Sequence, residues 1–226
     1  MKNGIAAIFD MDGVIVNNHD YHYEAWMQFC KKHDRMISRE KFLGYFGGSS
    51  QEILEGVFEG QMTTEEIAAF ADEKEAMYRE IYRPHLKILN GLPEFLRNLN
   101  SNNIPAAIAT SAPLANAEFV IREGGLTGLF STIVHDAMIK NLKPHPDIYF
   151  KASELLGYAP SQCIVFEDSY RGIEAAQKAG MRVVGVATTN SPDKISYTDY
   201  VIKDFSEINI DKIYELLGTE PVNRNT

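Results

Sequence analysis

Cysteine is nearly absent from this chain of 226 residues: there are 2, Cys30 and Cys163, far apart and in unlike surroundings. They support neither a disulfide framework nor a cysteine-ligated zinc site, and they fit a reducing compartment, so a cytoplasmic location is expected. Basic charge is also scarce. The 22 Lys and Arg stand against 31 Asp and Glu, a formal charge of −9, with no dense basic stretch. Such a balance excludes nucleic acid and anionic membranes as main partners. Long apolar runs are missing too, and the first, at Ile5 to Phe9, is cut by Asp10 and Asp12 far below the length of a signal peptide or membrane span. Repeats and low-complexity tracts do not occur.

What remains, 45% hydrophobic and 23% charged, suits a globular chain able to bury one large core, with or without an insertion. Short apolar runs recur: IAAIF at 5–9, IPAAIAT at 104–110, STIVH at 131–135, CIVFED at 163–168 and RVVGVAT at 182–188, with YVI at 200–202 as a possible edge. Runs of this kind read as strands buried on both faces, as in a parallel sheet covered by crossover helices. Between them lie amphipathic segments such as LPEFLRNLNSN, ANAEFVIREGG, HPDIYFKASELLG and SYRGIEAAQKAG. Three of these end in glycine, which closes a helix cheaply. The pattern predicts a doubly wound, mostly parallel α/β sheet.

One interval breaks the pattern. About 90 residues separate the first two strands, where a crossover needs only a dozen or more. Within that interval Trp26, Phe29 and Cys30 keep helical spacing, and Ser49 to Glu52 and Thr63 to Glu66 each form a capping-box pattern ahead of a helix. Residues 17–86 are therefore expected to form an inserted α-helical cap, with 1–16 and 87–226 as the core and 218–226 as a frayed polar tail.

In open α/β sheets ligands sit at the carboxyl ends of strands, and the reactive residues of this chain cluster there. Asp10 and Asp12 follow the first strand, Thr110 and Ser111 the second, and Glu167 and Asp168 the CIVF strand, while Lys143 stands in the loop NLKPHPD. Four acids would meet a single lysine. Two like charges ~4 Å apart repel by roughly 4 kcal/mol at an effective dielectric near 20, so such a cluster must shift its pKa values or bind a cation. Ligands that are all oxygen favour magnesium. With a lysine ammonium, a threonine hydroxyl and the N–H groups around Ser111, the set would receive a phosphoryl group. Asp10 would then attack phosphorus, and Asp12, brought near by a sharp turn at Gly13, would act as acid and base.

Asp10-Met-Asp12-Gly13-Val14, Thr110-Ser111, Lys143-Pro144-x-Pro146-Asp147 and Glu167-Asp168-Ser169 with Gly172 and Ala175-Ala176 resemble the four ordered motifs of the haloacid dehalogenase superfamily. The likeness covers almost the whole chain, and its cap resembles that of the β-phosphoglucomutase and phosphoglycolate phosphatase branch. The resemblance implies a Rossmann-like core and one Mg2+, with Asp10 as nucleophile, Asp12 as acid/base, and Thr110 and Lys143 as phosphate ligands. It also implies a metal held by Asp10, the Asp12 carbonyl and Asp168, with Glu167 direct or through water. Dehalogenases of the superfamily lack an acid at the position of Asp12, so phosphotransfer is favoured. In the cap, Asp20-Tyr21-His22-Tyr23-x-Ala25-Trp26 and Lys74 with Tyr78 are similar to that branch, which implies that His22 and Lys74 grip the substrate; Gly47, in the first cap loop, joins them as a candidate.

Two departures bear on the activity. Residues 46–51, FGGSSQ, contain no base, and Asn17-Asn18 stands where Asp-Ser or Asp-Thr often begins the cap. A mutase must hold a second phosphate, which the resemblance implies an arginine in this loop would do, and losing that bidentate arginine removes a contact worth ~1.5 to 3 kcal/mol. A phosphatase acting on a small phosphorylated metabolite is therefore expected, with a β-phosphoglucomutase as the alternative. A phosphorelay receiver is about half this length and lacks the insertion, and a noncatalytic protein on this fold would have lost one of the acids. Taken singly, each residue has an ordinary reading: Asp10 and Asp12 as a turn, Lys143 as a solvated lysine, Lys74 as an exposed ion-pair partner. Nothing demands an oligomer, and a monomer is compatible with the sequence.

Overall fold

A computed structural model describes residues 4–44, 50–60 and 62–220, and the chain divides into two compact units, Asn18–Leu86 and the combination of Met1–Asn17 with Lys87–Thr226. The Ser49 capping pattern, Gly47 and the end of the polar tail lie outside the described residues.

The first of these units contains helices α1 (His19–Lys32), α2 (Arg39–Gly44), α3 (Ser50–Val57) and α4 (Thr64–Tyr82). The apolar stripe of α1 buries Ala25, Trp26, Phe29 and Cys30, which pack with Ile53, Leu54 and Val57 of α3 and with Phe58 and Phe70. The predicted capping box of α4 is present: the Glu66 N–H donates to the Thr63 hydroxyl at 3.2 Å, and the Thr63 N–H donates to the Glu66 carboxylate at 2.8 Å. Two otherwise orphaned donors of the first turn are thereby satisfied.

The other unit is a sheet of six parallel strands among the described residues: β1 (Ala6–Phe9), β2 (Ala106–Ala109), β3 (Thr132–Val134), β4 (Cys163–Glu167), β5 (Arg182–Val186) and β6 (Tyr200–Ile202), in the order 3-2-1-4-5-6. Helices α5 (Leu92–Ser101), α6 (Leu114–Glu123), α7 (Asp147–Leu156), α8 (Tyr170–Lys178) and α9 (Ile210–Leu217) accompany it. Alternation along β1 explains why every residue there is buried. Ala6 and Ile8 join Ala107, Val165 and the apolar faces of α7 and α8. Phe9 points the other way and stacks on Phe166 of β4, with ring centroids 4.6 Å apart and planes 8° from parallel, edge-on to Phe95 of α5. Both faces are thus covered, as the unbroken apolar runs require. From β1 the chain goes to β2 and β3 on one side and then returns to β4 on the other. The crevice of such a sheet opens where that order reverses, at the carboxyl ends of β1 and β4. Among the described residues no helix is long and apolar enough to cross a membrane.

Candidate active site

Asp10 follows β1 directly and stays in register, its N–H donating to the Phe166 carbonyl at 3.0 Å. The chain then turns back at once. The Met11 carbonyl accepts from Val14 and Ile15 at 3.2 and 2.8 Å, while the Gly13 N–H donates to the Val16 carbonyl at 2.7 Å. Gly13 sits at φ +88°, a left-handed conformation open to glycine at little cost. Asp10 is buried and Asp12, on the turn, is partly exposed.

Lys143 joins three strand ends. Buried in the loop before α7, its ammonium lies 2.5 Å from Asp10 Oδ1, 2.6 Å from Glu167 Oε1 and 3.3 Å from the Ala109 carbonyl. Its own carbonyl accepts from Arg171 Nε at 2.9 Å, which ties the loop to α8. Thr110 follows Ala109 and is buried; its hydroxyl accepts from the Ala112 N–H at 3.0 Å and shapes the turn that leaves Ser111 partly exposed.

Glu167 is fully buried and its carboxylate is crowded with donors. Oε1 accepts from Lys143 and from the Tyr149 hydroxyl at 2.8 Å. Oε2 accepts from the N–H groups of Asp168 and Ser169 at 3.0 and 3.1 Å and from the Ser169 hydroxyl at 3.1 Å. The Ser169 hydroxyl also accepts from the Gly172 N–H at 3.0 Å, so Ser169 is the N-cap of α8. Gly172 is required by contact, because a Cβ there would lie 1.6 Å from Glu167 Oε1.

Asp10, Glu167 and Asp168 each offer an oxygen within 4.8 Å of the others, all buried. Three carboxylates therefore face one ammonium. Burial holds the Asp10 carboxyl well above its usual range; Lys143 opposes this, while Glu167, Asp168 and Asp12 reinforce it. Burial alone would lower Lys143, but Asp10 and Glu167 outweigh it and raise the ammonium above its ordinary value. Lys143 is thus charged, and the group as a whole is short of positive charge. Burial, followed by the charge of Glu167, raises the Tyr149 phenol and keeps it a donor. The two cysteines play no such part, since burial pushes the Cys30 thiol up to about 11 and Cys163 up to about 12.

The structure brings Asp10, Asp12, Thr110, Lys143, Glu167 and Asp168 to neighbouring strand ends. It adds residues that sequence reasoning missed: Tyr149, and the run Thr188-Thr189-Asn190, whose side chains reach Gly13 and Asp168. The only sequence signal for that run is a fourth polar strand end, directly after RVVGVA.

In the helical unit, His22 and Lys74 do meet. Lys74, expected on composition to be exposed, is 2% exposed; its ammonium lies 3.0 Å from His22 Nδ1, 2.8 Å from Glu75 Oε1 and 5.0 Å from the centre of the Trp26 ring. The His22 ring stacks on Tyr78 at 3.8 Å, and Ser50 donates to Glu75 Oε1 at 3.1 Å. Burial next to a paired acid and an aromatic face compensates the ammonium, which explains why the lysine is not on the surface.

The family model for haloacid dehalogenase-like hydrolases matches residues 7–186. The chain is 31% identical over 182 residues to the phosphorylated carbohydrates phosphatase of Thermotoga maritima, covering 80% of this chain and 84% of that protein. It is 30% identical over 220 residues to the β-phosphoglucomutase of Bacillus subtilis, covering 93% and 94%. Among solved structures, a HAD hydrolase of family IA, variant 3, from Entamoeba histolytica matches with a TM-score of 0.87 and 29% identity, over 95% of this chain and all of that one.

Proposed function

Since this chain belongs to the haloacid dehalogenase-like hydrolases, we propose that it is a phosphatase that moves the phosphoryl group of a small phosphorylated metabolite onto Asp10 and then to water. One observation carries the assignment: Lys143 sits between Asp10 and Glu167, at 2.5 and 2.6 Å, where the strand order reverses. The ammonium opposes the rise that burial imposes on the Asp10 carboxyl and so favours the ionised form that a nucleophile requires. An Asp10 oxygen attacks phosphorus, the bond from phosphorus to the ester oxygen breaks, and Asp12 gives that oxygen a proton. Water then attacks the aspartyl phosphate while Asp12 takes a proton back, which frees inorganic phosphate and restores Asp10. Thr110, Ser111 and Lys143 hold the phosphate oxygens throughout.

The donor set fits magnesium, being oxygen only and short of positive charge. Asp10, Asp168 and the Asp12 carbonyl would hold the ion; Glu167, already accepting from five donors, would act through water. When bound, magnesium supplies the charge that lets a carboxylate approach a phosphate dianion. His22 and Lys74 are assigned to recognition of the organic part of the substrate, with Gly47 as a third candidate.

Replacing Asp10 with Asn should abolish phosphate release from every member of a panel of sugar and polyol phosphates while leaving the circular dichroism unchanged, and chelation of magnesium should stop the native protein. Turnover by the Asn variant would remove Asp10 as nucleophile. The second reading is a mutase, favoured by the match to the Bacillus subtilis β-phosphoglucomutase. The absence of a base at residues 46–51 weighs against it. Formation of glucose 6-phosphate from β-glucose 1-phosphate, with glucose 1,6-bisphosphate as primer, would establish the mutase; phosphate release without isomerisation supports the phosphatase.

A further inference from the structure

Three consecutive side chains just past β5 have no part in this assignment, yet all of them reach toward the acids. The Thr188 hydroxyl donates to the Gly13 carbonyl at 2.5 Å. The Thr189 hydroxyl donates to Asp168 Oδ2. The Asn190 amide donates to the Asp168 carbonyl at 2.9 Å. The backbone makes this possible. Gly185 of β5 pairs with Glu167 of β4, so the two strands end together, and the Thr188 N–H donates to the Val186 carbonyl at 2.9 Å in a tight turn that leaves the strand direction. One short segment therefore grips two stretches beside the proposed ligands: the Gly13 carbonyl, one peptide beyond that of Asp12, and Asp168 by side chain and main chain together.

The torsion that orients a carboxylate is broad and roughly two-fold. A hydroxyl bonded to one oxygen removes rotational freedom that a bound ion would otherwise have to freeze, which is how partners behind the ligands raise metal affinity. We infer that Thr189 is a positioning residue for a divalent cation at Asp168, with Thr188 steadying the Asp12–Gly13 turn from the same segment. The inference deepens the proposed function and rests on its assignment of Asp168 as a ligand.

Magnesium titrated calorimetrically into the metal-free full chain tests it, with manganese binding by electron paramagnetic resonance as an independent readout. Thr189→Val should weaken binding by about 10- to 100-fold, and Thr189→Ser, which keeps the hydroxyl, should stay within about threefold of the native protein. Turnover should divide the same way: the magnesium concentration for half-maximal rate rises in the Val variant, while the rate at saturating magnesium is largely kept. If Thr189→Val does not fold, Thr189→Ala is compared with Thr189→Ser instead. Native affinity in the Val or Ala variant, or a Ser variant as weak as they are, would overturn the positioning role and leave the magnesium site standing. No magnesium binding by the native protein would remove the metal reading and this inference with it.

Discussion

Gly172 lies within the first turn of α8, and helix propensity alone predicts that Gly172→Ala stabilises the protein by ~1 kcal/mol. The structure predicts the opposite sign. An alanine Cβ would stand 1.6 Å from Glu167 Oε1 and 2.0 Å from its Cδ, so either the carboxylate or the helix must move. The carboxylate cannot move without leaving Lys143, Tyr149 and the N–H groups of Asp168 and Ser169. Breaking one side of a buried ion pair costs about 3–5 kcal/mol, well above the propensity gain. At roughly 2–4 °C per kcal/mol for a chain of this size, the melting temperature should fall by roughly 6–20 °C. The only tryptophan, Trp26, lies in the helical unit, so the change is best read by calorimetry with hydrogen exchange at β4. Turnover should fall with it, since Lys143 loses one of its two acids. A variant that melts at or above the native temperature with turnover intact would refute the reasoning, including the close approach of α8 to Glu167.

Two further outcomes follow from the charge count. Lys143→Met leaves Asp10 and Glu167 uncompensated and should cost about 3–5 kcal/mol in denaturant unfolding; adding Glu167→Gln should recover part of the loss, whereas strict additivity would show that the pair is not coupled. Asp10 has its carboxyl raised chiefly by burial, so the folded state binds a proton more readily than the unfolded chain. The associated stability is fully present below the unfolded value near 4 and is lost as pH rises through the raised folded value. Magnesium requires the deprotonated form, so its stabilisation should grow with pH. Melting curves with chelator and with magnesium between about pH 5 and 8 check this, and a magnesium effect independent of pH would contradict it.

Much of the site is legible in the sequence because each motif is local. An apolar run ending in Asp10, Asp12 and Gly13 announces both a buried strand and the turn after it. The same holds for the strand ends at Thr110 and Glu167-Asp168, and for the capping box at Thr63. Lys74 is harder. In ADEKEAMYRE it reads as solvated, and only the packing of α1 against α4 shows it enclosed beside His22, Glu75 and Trp26. Tyr149 is harder still, since its place on the buried face of α7 gives no hint that its hydroxyl meets an acid.

By itself the amino-acid sequence determined the α/β class, the helical insertion after β1 and the identity of the acids and the lysine, because periodicity, caps and strand-ending polar residues act over a few neighbours. The strand order was decided only in three dimensions. Placing β1 between β2 and β4 brings Lys143 to Asp10 across 133 positions and gathers three carboxylates. It also lets a segment after β5 hold the Gly13 carbonyl 175 positions away. Such contacts depend on which strands become neighbours and on which oxygens remain to be satisfied once they are buried, and no short stretch of sequence carries that information.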